Sequence, residues 1–512
     1  MSLKERTPMR APTRHPAPTR LVMPALCLVL ALTRPPSGTA ADAGRAAPAR
    51  AQVLDVLVTY QICDEHLPWR LSRPQFRQGY GVVIGPGRIL TTEDLVRLPT
   101  LVELRVPGSA AKFTASVLQA DPQLDTALLT VADPGFQQLL EPVALASNVA
   151  RGARTRIVQY DESGLPQQGE GRVVEIGVEA LPAAPEGVLT LRVLSDLRVL
   201  NPGAPVYAGD QLAGLMMRYD ILHQTGFVLP APVLARFLRA AEAQPYVPPP
   251  SGGFDWATLV DPVKRRYLGV PETGGGIQVL RAFASSGAAA VLQASDVLLR
   301  WDGFDIDNQG FYSDPDYGRM GIEHAIGGRH RAGDKIAVDL VRQGQPLTVS
   351  LTLTSSRDAD AFIPEGLAGA IPDYLVEGGF VLRELSGSCL RMGGGHGLAG
   401  ANARLVHLYL TRANLADRAG DHVVILAGVL PDPVNIGYQE LRDEVVTAVN
   451  GQPVRNLKDV FRIVEHDRGL ARLSLQGLNV DVALDTSLRD EANSRIAKAY
   501  RIPELRRGAP AP

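Results

Sequence analysis

Residues 79–96 read GYGVVIGPGRILTTEDLV, and this stretch decides the fold. Two short strand-like runs, 81–84 and 88–91, flank Gly85-Pro86-Gly87. Pro86 presets φ and the two glycines accept conformations that other residues resist, so the stretch reads as a β-hairpin. Outward from it, residues 53–60 (VLDVLVTY), 102–106 and 113–118 partly alternate apolar with polar side chains, the two-residue period of half-buried strands. Few helical periods appear before Pro232, after which 233–243 reads as a helix. Many short strands without intervening helices predict a mainly β barrel or sandwich rather than a βαβ sheet.

The chain of 512 residues is 45% hydrophobic, enough for about three domains. Residues 1–20 carry five Lys or Arg, 21–32 form an apolar run of 12, and Gly38, Thr39 and Ala40 are small. A run this short falls below the roughly 20 residues of a membrane-spanning helix. With its basic flank it reads as a secretory signal cut near Ala40, which predicts a secreted or periplasmic protein with no transmembrane segment. Without 1–40 the formal charge moves from −2 to −7, leaving no basic footprint for nucleic acid. Cys63 and Cys389 are far apart and follow no spacing pattern.

Several ordered motifs resemble the trypsin-like proteases of the HtrA/Deg family. Residues 79–96 are similar to its G-S-G-F-V-I hairpin followed by I-L-T-N-A-H-V-V. Residues 121–131 (DPQLDTALLTV) resemble D-x-x-x-D-x-A-L-L, 196–203 (DLRVLNPG) the approach to the nucleophile, and 226–230 (GFVLP) the strand before the last helix. The resemblance implies a trypsin-like double β-barrel over 52–243 and assigns the triad's acid to Asp125. It also places Asp94 where the family has its histidine base. The family's N-S-G-G-P is replaced by Asn201-Pro202-Gly203-Ala204-Pro205. An ungapped alignment puts Pro202 at the serine; one that follows N-P-G deletes the serine and lets Ala204 stand for the last glycine. Both alignments remove it.

Acyl transfer needs a nucleophile, a base poised near working pH and oxyanion donors. An aspartate with an intrinsic pKa of about 4 is a weak base at neutral pH, and proline has no N–H to donate. Asp94 beside Asp125 implies like-charge repulsion, with one carboxylate holding a proton tightly or the two sharing one. His66 and His223, the histidines of 41–240, do not map to the base, and Ser195 lies on the approach strand. The expectation is a pseudoprotease without an intact triad; the alternative is a serine-type endopeptidase of envelope protein quality control with a rearranged site.

A Pro/Gly-rich linker, 244–255, precedes a stretch, 256–356, that resembles a PDZ domain. Tyr267, Leu268, Gly269 and Val270 look like its carboxylate-binding loop, and Ile277, Gln278 and Val279 begin the strand that lines the groove. The resemblance implies peptide binding by strand addition, with the loop amides holding a C-terminal carboxylate. Residues 304–317 read as a solvated acidic insertion rather than a calcium loop, and His324 and His330 as exposed loop or groove residues rather than a metal pair. Residues 357–420 read as a connector, although 376–382 (VEGGFVL) resembles a segment of the plant-type Deg branch. A second PDZ domain over 421–486, with N-I-G-Y at 435–438, and a C-terminal helix and tail over 487–512 follow that branch. The implied partners are unfolded proteins or peptide C-termini, an active Deg relative and further copies of this chain. No motif suggests a cofactor or metal.

Overall fold

The computed structural model describes residues 50–508 apart from 65, 182–183, 200, 356–359, 367–368, 393–396, 419 and 478–480. The signal expected over 1–40 lies outside the described residues. Strands β1 (Val53–Tyr60), β2 (Gln75–Gly85), β3 (Arg88–Thr91), β4 (Pro99–Arg105), β5 (Phe113–Asp121) and β6 (Thr126–Thr130) close into a barrel in the order β1-β2-β3-β6-β5-β4. The hairpin of 79–96 is present, with Val83 opposite Ile89. Gly87 has φ +62, and a Cβ there would meet the Gln137 amide at 2.8 Å, so the turn demands glycine. Leu54, Val56, Ile89, Ala127 and Leu129 are fully buried and fill this barrel.

A second closed barrel follows from β7 (Arg154–Tyr160), β8 (Pro166–Leu181), β9 (Ala184–Ser195), β10 (Pro205–Ala208), β11 (Gln211–Asp220) and β12 (Thr225–Pro230), in the order β10-β11-β12-β9-β8-β7. The mainly β, trypsin-like double barrel is therefore the observed fold. Tyr80 clamps the two halves: its hydroxyl donates to the Tyr160 carbonyl at 2.9 Å and accepts from the Tyr160 amide at 3.1 Å. Helix α1 (Glu93–Val96) is a single turn after β3, and α2 (Ala231–Ala241) closes the pair of barrels.

The middle module is a sheet of β13 (Phe254–Ala257), β14 (Ile277–Ala282), β15 (Val297–Trp301), β16 (Lys335–Arg342) and β17 (Gln345–Thr352) in that order, with α3 (Pro262–Tyr267) between its first two strands. Its core runs without a break into the second barrel: Leu229, Leu234 and Phe237 share one buried cluster with Ile277, Trp301 and Val338. The linker expected over 244–255 is shorter than its composition suggests, because Pro250–Ser251 pairs with Thr354–Ser355 and Phe254 opens β13.

In the third module β18 (Tyr374–Glu377), β19 (Phe380–Glu384), β20 (Val424–Val429), β21 (Glu444–Val449), β22 (Arg472–Leu475), β23 (Val482–Ala483) and β24 (Arg506–Arg507) form a sheet ordered β23-β22-β21-β20-β19-β18-β24. It packs on α4 (Leu457–His466) and α5 (Arg489–Tyr500). The connector reading of 357–420 is corrected here, since β18 and β19 are interior strands of this sheet. Gly378 and Gly379, which read as flexibility, are the two central residues of a tight hairpin at φ +56 and +86, the geometry whose twist matches the strands. Asn435, fully buried, donates to the carbonyls of Gly378 at 2.7 Å and Leu430 at 2.8 Å. That gives the N-I-G-Y motif a physical role.

The loop 61–74 of the first barrel reaches onto this module. The Cys63 amide donates to Gly369 O at 3.1 Å, the Trp69 indole N–H to Tyr500 O at 3.3 Å, and the Trp69 ring packs 5.7 Å from that of Tyr374. Apolar contact and these hydrogen bonds, with a further one from the Cys63 thiol to Ala370 O at 2.9 Å, fix the third module to the first barrel.

Candidate functional site

In the cleft region of the first barrel, the turn between β5 and β6 is built by Asp121. Its Oδ1 accepts from the amides of Gln123 at 2.8 Å and Leu124 at 3.3 Å, while Oδ2 accepts from the Tyr246 hydroxyl. The turn sets Asp125 at φ +45, a conformation Asp tolerates better than most residues. Asp125 Oδ1 then accepts the Asp94 amide at 2.8 Å. The two aspartates meet through backbone and side chain, not through a shared proton. The Asp94 carboxylate turns outward, 65% exposed and 3.3 Å from Arg97.

Asp125 is the carboxylate that holds its proton. Burial raises its pKa to about 7, against the lowering by the Asp94 amide; repulsion from Asp94 and Glu93 adds to it. Desolvation thus outranks the like-charge repulsion expected from the sequence. Around it, buried Glu93 grips Arg97 at 2.5 Å, and Arg77 donates to the carbonyls of Asp94 and Arg97. The turn around Asp94 is a packed ionic one.

Pro202, Gly203 and Ala204 run alongside β2. The Tyr80 amide donates to Pro202 O at 2.9 Å, and the Gly203 amide donates to Met216 O at 2.8 Å. Gly203 has φ +82, and a Cβ there would lie 2.1 Å from Tyr80 O. Its backbone is therefore pressed against the neighbouring strand, and its N–H is already committed. Ser195 is buried, with its hydroxyl on Glu170 O at 3.2 Å. His66 faces Asp443 at 3.6 Å and His223 pairs with Asp220 at 2.7 Å. Among the described residues, no histidine or serine is bonded to Asp125.

In the middle module, the expected carboxylate loop has no free nest. The amides of Leu268, Gly269 and Val270 donate to the carbonyls of Lys264, Arg266 and Arg265 at 3.0, 3.1 and 3.1 Å. They finish α3, because Gly269 at φ +76 winds the chain into a helix C-cap. Tyr267 is 87% exposed, while Leu268 and Val270 are buried. Buried Arg265 fixes the loop by donating to the carbonyls of Pro271 at 2.6 Å, Leu259 at 3.1 Å and Gly275 at 3.0 Å. The groove strand is also not an edge. Gln278 and Val279 pair with β13, and Ile277 and Gln278 with β15, so the chain's own β13 takes the place expected for a peptide. The sequence could not show this, since which strand covers β14 is a matter of non-local pairing.

The stretch 304–317 differs from the solvated loop expected. Asp305 pairs with Arg300 at 2.5 Å and Asp307 with Arg319 at 2.9 Å, but Asp314 is buried against Tyr312 and Arg329. His324, expected to be exposed, is 6% exposed. The Y-x-D spacing of Tyr312 and Asp314 was the available signal: the two-residue period of the strand Phe311–Asp314 puts a buried hydroxyl and a buried carboxylate on one face, 2.7 Å apart.

Two closed six-stranded barrels followed by further β modules define a trypsin-like peptidase fold with additional domains behind it. Family profiles agree: "Trypsin-like peptidase domain" matches residues 79–212 and "PDZ domain" matches 363–507. The chain thus carries a trypsin-like peptidase domain followed by a PDZ domain, and it is similar along most of its length to Do-like proteases. It is 26% identical over 461 residues to the chloroplastic Protease Do-like 2 of Arabidopsis thaliana, covering 89% of this chain and 74% of that one. It is 24% identical over 445 residues to the putative mitochondrial Protease Do-like 3 of the same plant, covering 85% and 76%. Among solved structures it is similar to the HtrA-type protease AlgW with a decapeptide: 16% identity, TM-score 0.47, covering 60% of this chain and 97% of that one.

Proposed function

We propose that this chain is an exported HtrA/Deg protein that has lost peptide-bond hydrolysis and works by binding protein segments, chiefly through its third, PDZ-type module. The observation that carries the reading is the backbone at 202–204. A nucleophile there needs a side chain, and the Gly203 backbone lies too close to Tyr80 O to carry one. The base position supports it, because Asp94 points to solvent and contacts Asp125 only through its amide. The basic and apolar leader supports export to the periplasm or exterior. Unfolded chains or peptide C-termini are the proposed ligands, with an active relative or further copies of this chain as proposed partners. The third module, within which the PDZ match falls, is the better candidate for peptide binding.

The test is hydrolysis of an unfolded fluorogenic protein by the purified chain, with labelling by a serine-directed fluorophosphonate and an Asp94→Ala control. No turnover and no label are expected. Turnover that co-purifies with the chain and disappears in Asp94→Ala would sink the reading and favour an endopeptidase with a rearranged site.

A further inference from the structure

A cavity of about 650 Å³ opens where the second barrel, the linker and the middle module meet, within the size range of small-molecule sites. Leu189, Val233 and Phe254 give it an apolar wall, and Arg236, Trp256 and His324 also line it. Proton accounting fixes the state of His324. Asp314 accepts four bonds: from the Tyr312 hydroxyl at 2.7 Å, Arg329 at 2.9 Å, and the amides of Asp316 at 2.9 Å and Tyr317 at 3.1 Å. Burial opposes its charge, but the Tyr312 hydroxyl and the two amides outweigh burial and hold its pKa below the usual range. The single Tyr312 proton therefore goes to Asp314. Tyr312 Oη also lies 2.7 Å from His324 Nδ1, so Nδ1 carries the proton and donates it, and Nε2 is left with a bare lone pair.

That lone pair has no partner among the described residues. Gly328 keeps its edge open, since a Cβ there would lie 2.8 Å from Nε2. Burial lowers the imidazole pKa to about 4, with Asp314 opposing and Arg329 and Arg236 adding, so the ring is a neutral acceptor at physiological pH. Arg236, half-buried on α2, has no hydrogen bond or ion pair among the described residues. Of the acids on the wall, Asp255 is taken by Arg281 at 2.5 Å, and burial raises the Glu323 pKa. Asp316 and Asp360 also line the cavity, so its field suits one negative charge better than a phosphate.

We propose that this cavity binds an N-acylated apolar amino acid, a group also presented by the C-terminus of a peptide: its carboxylate on Arg236, its amide N–H on His324 Nε2, and its side chain against Leu189, Val233 and Phe254. The cavity adjoins the Asp121 turn of the first barrel through Gln123 and Leu124, and the proposal stands whether or not the chain cleaves peptides.

Isothermal titration of the full chain with N-acetyl-leucine, and with an acetylated hexapeptide ending in leucine, tests it. Saturable binding is expected, weakened about tenfold or more in Arg236→Gln by loss of one charge-assisted pair and for N-acetyl-leucinamide, which lacks the carboxylate. Leu189→Trp, which crowds the apolar wall, gives a second loss that leaves the polar groups in place; circular dichroism checks that both variants fold. Binding of N-acetyl-leucine alone assigns the site to a free small molecule, and tighter binding of the hexapeptide that Arg236→Gln also weakens assigns it to chain termini, since peptide held by the third module would not respond to Arg236; either supports the proposal. No saturable heat with either probe at millimolar concentration, or affinity unchanged in Arg236→Gln, overturns it.

Discussion

Asp125→Asn should stabilise this protein relative to wild type by more at alkaline pH than at acid pH. Burial raises the Asp125 pKa from 3.8 to about 7, so between these values the folded chain binds a proton that the unfolded chain does not. Stability linked to this group is fully present below the unfolded pKa and is lost as pH rises through the folded one. At roughly 1.4 kcal/mol per unit the ceiling is about 4 kcal/mol. Because the carboxylate is only partly buried, screening reduces the expected swing to about 2 kcal/mol. Asparagine keeps the bond from the Asp94 amide, since its Oδ1 still accepts, and it tolerates the φ of +45 at this turn. That conformational gain is the same at every pH and cancels in the comparison. The assay is equilibrium urea unfolding of both proteins from about pH 5 to about pH 8. The mutant's advantage should grow across that window, most steeply below neutrality. A difference that stays flat, or that shrinks as pH rises, would refute the assignment of a desolvated carboxyl at this position.

Gly203→Ala should cost about 3 kcal/mol or more, because it combines positive φ with backbone contact, whereas Gly209→Ala, at φ +61 in open space, should cost about 1 kcal/mol; thermal unfolding compares them. Arg265→Met strips three carbonyls of their donor and should destabilise the middle module by about 3 kcal/mol, read as faster amide exchange across 259–275. Trp69→Ala removes the contact with Tyr374 and the bond to Tyr500, a loss of roughly 2 kcal/mol. It should expose loop 61–74 to limited proteolysis without changing the barrels' far-ultraviolet spectrum.

Local chemistry carried much of this structure into view. The Gly85-Pro86-Gly87 turn and the alternating runs around it pointed to a mainly β barrel or sandwich, the resemblance chose the double barrel, and Pro202-Gly203-Ala204 near the expected serine was legible as plain text. What escaped depended on partners distant in sequence. Glycine pairs look alike in a connector and in a tight hairpin, and only the bonds from Asn435 distinguish Gly378-Gly379 as the latter. The loop Y-L-G-V carries the residues of an anion nest, yet its amides close a helix because Gly269 winds the chain back onto α3. His324 sits among glycines and charges in the sequence, and no apolar period announces that Tyr312, Asp314 and Arg329 surround it. The repulsion foreseen between Asp94 and Asp125 was the smaller effect, since composition does not reveal which carboxyl loses its water.

The contact between Gly203 and Tyr80 also bears on evolutionary history. A serine introduced at 203 would clash before it could react, and one introduced at 202 would still face an aspartate in the base position and a neighbouring amide already bonded to Met216. On the proposed reading, gaining hydrolysis here would require the loop to lift from β2, the amide to be released and a histidine to replace Asp94. The tight backbone seam would then work as a ratchet, holding such a chain to what its binding surfaces can do.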